Sequence, residues 1–309
     1  MLTELQSYLS EELDKEFLKD NIFFNKKISN LTWFGVGGSA EVLFIPQSVK
    51  HLKKVLKLID KKTEINVIGL GSNILIRDGG LKGITIRLGK NFNFINNTLS
   101  AVSLGALVPD KVFSRYCYNK SIAGFEFLFG IPGTIGGAIA MNAGCYGSEI
   151  SDVVKSYKTI DYEGNEIITK DLSEVFSYRK NKCLSNHIIV EAQVIKNNGD
   201  KNMIKEKMEY INSERIMSQP QKVRTGGSTF KNPLAKSSNK KSWQLIKPLL
   251  NEVHSPEGVC MSDKHANFII NTQTKSSNII EDFGDSIIEK VYQKTGVLLE
   301  WEIKIIGSR

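Results

Sequence analysis

The stretch FLFGIPGTIGGAIAMNAGCYGS, residues 127–148, constrains this chain more than any other: it carries no charge and is long enough to span a bilayer. It also contains Gly133 and Gly137 at the spacing that packs transmembrane helices against one another. Yet it holds six glycines, a proline and an asparagine. Each glycine in a helix costs about 1 kcal/mol relative to alanine, so the stretch would make a poor helix in lipid or in water. The better reading is a buried glycine-rich loop whose bare backbone a ligand can approach closely.

The remainder suits a folded protein of enzyme size. A length of 309 residues makes two domains the default, with room for an appendage. Lys and Arg outnumber Asp and Glu by 41 to 33, which biases the chain towards anionic partners. The excess is dispersed. Its densest run, Lys50, Lys53, Lys54, Lys57, Lys61 and Lys62, interleaves at helical spacing with Val49, Leu52, Val55, Leu56 and Ile59. That is the solvated side of an amphipathic helix, and without interleaved aromatics it argues against a nucleic-acid surface. The four cysteines, Cys117, Cys145, Cys183 and Cys260, show neither CxxC pairing nor metal-ligand spacing. They read as buried free thiols of a reducing cytoplasm, and no metal is expected. The N-terminal MLTELQSYLSEELDKEF places acids early and has no apolar core, so it is not a secretory signal, and a cytoplasmic protein with no membrane partner is expected.

Leu5, Leu9, Leu13 and Phe17 recur every fourth residue and predict an N-terminal helix ending near Asp20. After the lysine-rich helix come expected strands in INVIGLG, ILIRDGG, LKGITIRL and TLSAVSLGA, then a helix over about 107–119. KSYKTIDYEGNEIITK reads as two strands about a turn, and HIIVEAQVIK as a buried strand. The polar KNNGDKN, residues 196–202, marks a boundary. Beyond it lie helices in MIKEKMEYINSERIM, WQLIKPLL and SSNIIEDFGDSIIEKVYQKTG, with strands in NFIINT and WEIKIIG. Helices and strands mix without strict βαβ repetition, so the class is α+β.

Three glycine clusters carry the candidate chemistry: Gly35, Gly37 and Gly38; Gly69 and Gly71; and the stretch from Gly130 to Gly147. Amides stripped of side chains form concave donor arrays that suit phosphate oxygens. Turn-making alone explains any one cluster, but three within about a hundred residues favour a long ligand bearing a pyrophosphate. The dinucleotide fingerprint is absent, because SNILIRD after GLG continues as β structure and no third glycine follows.

In order and spacing, NLTWFGVGGSAE, VIGLGSNILIRD and FLFGIPGTIGGAIAMNAGCYG resemble the FAD-binding domain of the UDP-N-acetylenolpyruvoylglucosamine reductase (MurB) family, within the vanillyl-alcohol-oxidase-like flavoproteins. The likeness continues through SYRK, GGSTFKNP, HANFIIN and LLEWEIKIIG, and so covers nearly all of the chain after about residue 25. It implies an N-terminal helix over 1–24, a two-part FAD-binding domain of the PCMH type over 25–200, and a smaller α+β substrate-binding domain over 201–309 whose last strand carries Glu302 to the active site. The absence of an extra inserted segment is similar to the family's compact class.

The resemblance further implies a cytoplasmic, monomeric enzyme of peptidoglycan precursor synthesis. In that family NADPH reduces FAD, and the flavin delivers hydride to the enolpyruvyl ether of UDP-N-acetylglucosamine to yield UDP-N-acetylmuramate. Arg179 and Glu302 match the substrate-polarising arginine and glutamate, and Ser228 the proton donor. Gly35, Gly37, Gly38, Gly69, Gly71, Ser72, Asn73, Gly133, Thr134, Gly136, Gly137, Asn142 and Gly144 fall on the FAD-binding motifs. Tyr178, Lys231, Asn232 and His265 are candidates for substrate binding. Taken alone, Arg179 and Glu302 read as surface charges, Ser228 as a turn serine, and His265 equally as a satisfied buried histidine.

Two positions depart from the family pattern: Asn181 follows Tyr-Arg-x where serine is frequent, and Lys304 stands where arginine is frequent. Lysine cannot repeat a bidentate contact. Two other functions compete, an alcohol-oxidising flavoprotein of the same superfamily and a basic, glycine-rich nucleic-acid module. Oxidases of that kind commonly tether FAD through His or Cys, and a yellow flavin spectrum independent of salt would count against the module.

Overall fold

The computed structural model describes residues 2–309 and divides them into two compact units that interleave along the chain. Among the described residues the first comprises 2–24, 42–69 and 83–215; the second comprises residues 25–41, 70–82 and 216–309. The chain changes unit inside the strands Ile22–Lys27, Ser39–Phe44 and Leu81–Ile86. At two of these crossings the backbone turns with positive φ, 49° at Asn25 and 66° at Gly83.

The first unit is built on a five-stranded sheet in the order Glu166–Thr169, Val154–Asp161, His187–Val194, Val102–Gly105, Ile95–Asn97, antiparallel throughout. Tyr157, Ile160, Ile188, Ala192 and Val194 from its strands are buried in one large apolar cluster. The expected amphipathic helix spans Val49–Leu58 and buries Leu52, Val55 and Leu56. The N-terminal stripe also faces this core, with Leu9, Leu13 and Phe17 buried, but on two helices instead of one. Asp14 makes the break: its Oδ1 accepts the Phe17 amide at 2.8 Å and so starts a second helix, Lys15–Asn21.

The charge-free glycine stretch is only partly a loop. Residues Ile135–Met141 form a helix, started by Thr134, whose Oγ1 accepts the Gly137 amide at 3.4 Å. Burial of Ile135, Ala138 and Ile139 offsets the poor propensity of its glycines, and at Gly136 a Cβ would press on Ala106 at 3.0 Å. Among the described residues, no helix is long and apolar enough to cross a membrane.

The second unit has its own core. Phe230, Leu245, Val259, Ile269, Ile280, Phe283, Ile287, Leu299 and Ile303 pack with Phe34, Val36 and Leu75. Its long helix, Ser277–Thr295, ends at Gly296 in the left-handed conformation. Asp78 holds the other end, accepting the Ser277 amide at 2.8 Å and the Ser276 hydroxyl. Two short strand pairs complete the unit: Val259–Met261 with Ile269–Asn271, antiparallel, and Lys304–Ile306 with Ile74–Ile76, parallel.

Several expectations are corrected. INVIGLG contributes a strand only over Ile65–Val67, and WEIKIIG only over Lys304–Ile306, so Glu302 precedes the strand. The strands Ile22–Lys27, Ser39–Phe44 and Ile95–Asn97 lie where no strand was expected. Cys183 is exposed, whereas Cys117 is buried and Cys145 and Cys260 are half-buried.

Candidate functional site

The candidate residues gather into two groups, one in each unit. In the first unit Tyr178 and Arg179 form the two-residue turn of a hairpin that pairs Phe176 with Asn181 and Ser177 with Lys180. Arg179 adopts φ of 56°, a conformation that costs a non-glycine residue about 1–2 kcal/mol. The surroundings enforce it. The Arg179 Nη2 donates to the Gly144 carbonyl at 3.0 Å, and the guanidinium carbon lies 5.3 Å from the centroid of the Tyr178 ring. Asn142, left-handed at the end of the glycine-stretch helix, donates its side-chain amide to the Ser177 carbonyl at 3.3 Å and accepts the Ser151 amide at 3.2 Å. Asn181 is buried; its amide donates to the Tyr157 hydroxyl at 3.2 Å and its carbonyl accepts the Cys183 amide at 2.9 Å. The departure at Asn181 therefore anchors the base of the hairpin.

Gly133 and Thr134 are stitched to the segment ahead of them: Asp110 N donates to the Gly133 carbonyl at 3.1 Å, and Ile135 N to the Val108 carbonyl at 2.9 Å. Around Thr134 the backbone is bare. A Cβ built on Gly69 would have as its nearest neighbour Thr134 Oγ1 at 3.3 Å, and one on Gly137 the same oxygen at 3.6 Å. Open amide backbone converging on a hydroxyl fits a phosphate-bearing cofactor such as FAD. Gly144 serves packing, since a Cβ there would lie 2.6 Å from the Ser148 carbonyl oxygen.

In the second unit the glycines are dictated by chain crossings. A Cβ on Gly71 would lie 2.0 Å from the Leu31 carbonyl oxygen, one on Gly38 2.3 Å from that of Asp78, and one on Gly37 2.9 Å from Ile76. Gly35 faces the aliphatic arm of Arg224 at 3.3 Å. Ser72 and Asn73 follow Gly71, and Asn73 reaches Glu302: its side-chain amide donates to the Glu302 carbonyl at 3.3 Å.

The segment Arg224–Pro233 brings Ser228 close to Glu302 in register. Glu302 N donates to the Thr229 carbonyl at 2.8 Å and Lys231 N to the Glu300 carbonyl at 2.8 Å, around a bridge between Phe230 and Trp301. Ser228 and Glu302 are both half-buried. The glycines ahead of the serine differ: a Cβ on Gly226 would meet Phe34 at 2.7 Å and Ile303 at 2.9 Å, whereas Gly227, at φ of 84°, has no heavy atom within 4 Å of that position. Gly226 is a packing glycine, and only Gly227 presents open backbone.

Asn267, absent from the sequence-derived candidates, holds this segment in place. Its Oδ1 accepts the Phe230 amide at 2.9 Å, its Nδ2 donates to the Phe230 carbonyl at 2.8 Å, and its own carbonyl accepts the Thr229 amide at 2.8 Å. The available signal was a polar residue inside the apolar run ANFII, which a core tolerates only when fully hydrogen-bonded. His265 Nδ1 accepts the Asn267 amide at 3.2 Å, which leaves the ring proton on Nε2. Burial, helped by the nearby Lys241, lowers its pKa and keeps the ring neutral. Its ring lies 4.9 Å from that of Phe268 and 6.2 Å from that of Trp243. Asn232 accepts the Ser242 amide at 3.1 Å, at the start of the short helix Ser242–Ile246, and Lys231 pairs with Glu300 at 2.8 Å.

Comparison with known proteins adds to this geometry. Residues 40–170 match an FAD-binding-domain family, and residues 219–306 match the C-terminal domain of UDP-N-acetylenolpyruvoylglucosamine reductase. The chain is 43% identical over 292 residues to the UDP-N-acetylenolpyruvoylglucosamine reductase of Rickettsia massiliae, covering 94% of this chain and 96% of the relative. It is 41% identical to that of Orientia tsutsugamushi, covering 92% and 94%. The crystal structure of the corresponding reductase of Thermus caldophilus superposes with a TM-score of 0.77 at 24% identity, covering 93% of this chain and 98% of that one, and so shares the α+β fold.

Proposed function

The chain belongs to the UDP-N-acetylenolpyruvoylglucosamine reductase family, and on that premise we propose that it is an NADPH-dependent flavoprotein oxidoreductase that reduces UDP-N-acetylglucosamine enolpyruvate to UDP-N-acetylmuramate for peptidoglycan, acting as a cytoplasmic monomer. FAD, when bound, supplies a hydride acceptor for NADPH and a hydride donor for the enolpyruvyl alkene. Gly35, Gly37, Gly38, Gly69, Gly71, Ser72, Asn73, Gly133, Thr134, Gly136, Gly137, Asn142 and Gly144 are assigned to hold the cofactor.

The protein's own residues manage charge and protons. Hydride entering the terminal alkene carbon leaves negative charge on its neighbour and the attached carboxylate, and Arg179 is assigned to stabilise that charge. Its strained backbone, fixed by Gly144 and the Asn142-anchored hairpin, supports a preset guanidinium. Ser228 is assigned as proton donor to the substrate carbon. An alcohol is a weak acid, adequate here because the acceptor is a strongly basic enolate and because Thr229 and Phe230 are pinned immediately behind the serine. Glu302 is assigned to polarise the same intermediate. Tyr178, Lys231, Asn232 and His265 are assigned to substrate binding.

The observation that carries this reading is the 2.8 Å hydrogen bond from Glu302 N to the Thr229 carbonyl, which sets Ser228 and Glu302 on adjoining segments of one unit. The test is spectroscopic. Under anaerobic conditions NADPH should bleach the flavin band at about 450 nm, and adding the enolpyruvyl sugar nucleotide should restore it. If the spectrum stays reduced after substrate is added, the assignment fails.

A further inference from the structure

The helices Asp110–Asn119 and Lys201–Ser218 and the short 3-10 turn Glu126–Gly130 carry cations used by no step above. Lys111 Nζ lies 4.4 Å from the centroid of the Phe129 ring, and the Arg115 guanidinium carbon 5.5 Å from the same centroid. Both side chains sit on exposed positions of one helix, and neither has an ion-pair partner among the described residues. The carboxylates nearby have other partners: Glu126 pairs with Lys207 at 3.4 Å, and Glu209, on the wall of the cavity beside Arg115, pairs with Lys205 at 3.8 Å. Burial, together with the charges of Arg115 and Arg215, lowers the Lys111 pKa. Two cations drawn to one aromatic ring repel each other unless an anion joins them.

The cluster is continuous with the candidate site inside the same unit. A Cβ on Gly130, next to Phe129, would lie 3.3 Å from Cys145 Sγ and 3.4 Å from Arg215 Cδ. Cys145 adjoins Gly144, the acceptor of Arg179, and feels the charges of both Arg215 and Arg179. Arg179, Arg215, Lys111 and Arg115 thus form one cationic track beside the glycine stretch. Beyond it Arg115, Lys205, Phe129 and Met208, with Glu209 paired to Lys205, line a cavity of about 370 Å³, within the usual range for small-molecule sites.

We propose that Lys111 and Arg115 are the subsite for the 2′-phosphate of NADPH, which makes them the residues that distinguish NADPH from NADH. The inference rests on NADPH being the reductant. A 2′-phosphate is the one group by which the two reductants differ, it is dianionic near neutral pH, and a lysine and an arginine without a carboxylate partner are its natural acceptors.

The test uses the FAD-loaded full chain. The ratio of kcat/KM for NADPH to that for NADH should fall about tenfold or more in Lys111→Ala and in Arg115→Ala, mainly through KM for NADPH, while Lys120→Ala on the same helix keeps the wild-type ratio. Calorimetry should show 2′,5′-ADP binding more tightly than 5′-AMP, with that advantage lost in both variants and weakened by salt. An unchanged ratio with NADPH still reducing the flavin, or an equal loss towards NADPH and NADH, overturns the subsite but leaves the proposed activity standing. A wild-type flavin that NADPH does not reduce would overturn the reductant instead; the two adenine nucleotides then decide the subsite alone, and equal affinities for them would refute it.

Discussion

Asn73 and Glu302 lie 229 positions apart in sequence, yet the side-chain amide of Asn73 donates to the Glu302 carbonyl at 3.3 Å, and the Asn73 carbonyl accepts the Lys304 amide at 3.0 Å. Glu302 N meanwhile donates to the Thr229 carbonyl. The backbone of the glutamate is therefore held from both sides within one unit. Lys304, the second departure from the family pattern, contributes its amide to this lattice and leaves its side chain exposed.

Asn73→Ala should loosen Glu302 without unfolding the protein. One lost hydrogen bond is expected to cost about 1 kcal/mol in a urea titration. If Glu302 polarises substrate, reoxidation of reduced flavin by substrate should also slow about tenfold. A variant with wild-type reoxidation would separate Asn73 from catalysis.

Ser228→Ala should divide the two half-reactions. Reduction of flavin by NADPH is expected to survive, while substrate-driven reoxidation falls by about 10²- to 10⁴-fold, the usual contribution of a positioned acid. Stopped-flow absorbance measures both. Equal losses in the two halves would remove Ser228 from the proton-donor role.

The two glycines before that serine should respond differently to alanine. Gly226→Ala forces a methyl against Phe34 and Ile303, and overpacking of this kind costs about 1–3 kcal/mol. Gly227→Ala has open space but keeps a positive φ, at a cost of about 1 kcal/mol. Denaturant midpoints should rank wild type above Gly227→Ala, and Gly227→Ala above or level with Gly226→Ala. A Gly226→Ala protein as stable as wild type would mean that the Phe34 ring yields freely.

Acid should weaken the second unit through Glu281. Arg77 forms a fork with it, Nε to Oε2 at 2.9 Å and Nη2 to Oε1 at 2.7 Å, and the carboxyl pKa is lowered principally by this contact. A carboxyl lowered in the folded state contributes stability that is complete above its unfolded pKa, about 4.3, and is lost as pH falls through the folded value. Glu281→Gln should flatten that part of the stability profile below about pH 4.3. An identical acid slope in wild type and variant would show that other carboxyls dominate.

Elements whose identity depends on local pattern were legible. Leu52, Val55 and Leu56 recur at helical spacing and are buried on one helix, and the stripe from Leu9 to Phe17 faces the core even though Asp14 interrupts it. The glycine stretch was legible as a site for close approach but not as a partial helix. The Thr134 cap is local, but the burial that sustains the helix, including the contact of Gly136 with Ala106, depends on a segment about 30 residues earlier. Asn267 was missed for the same reason: alone it is a polar residue in an apolar run, and only its three bonds to Thr229 and Phe230 make it a clamp.

The sequence by itself determined the α+β class, the amphipathic helices, the glycine-rich motifs and the family, because periodicity, composition and motif spacing are properties of contiguous residues. Only the tertiary structure decided that the units interleave, that Ser228 and Glu302 sit on adjoining segments, and that Gly71 is needed for a chain crossing while Gly227 is open. Those outcomes depend on which distant backbone donors and acceptors meet, and burial requires each such group to find a partner that no local pattern names.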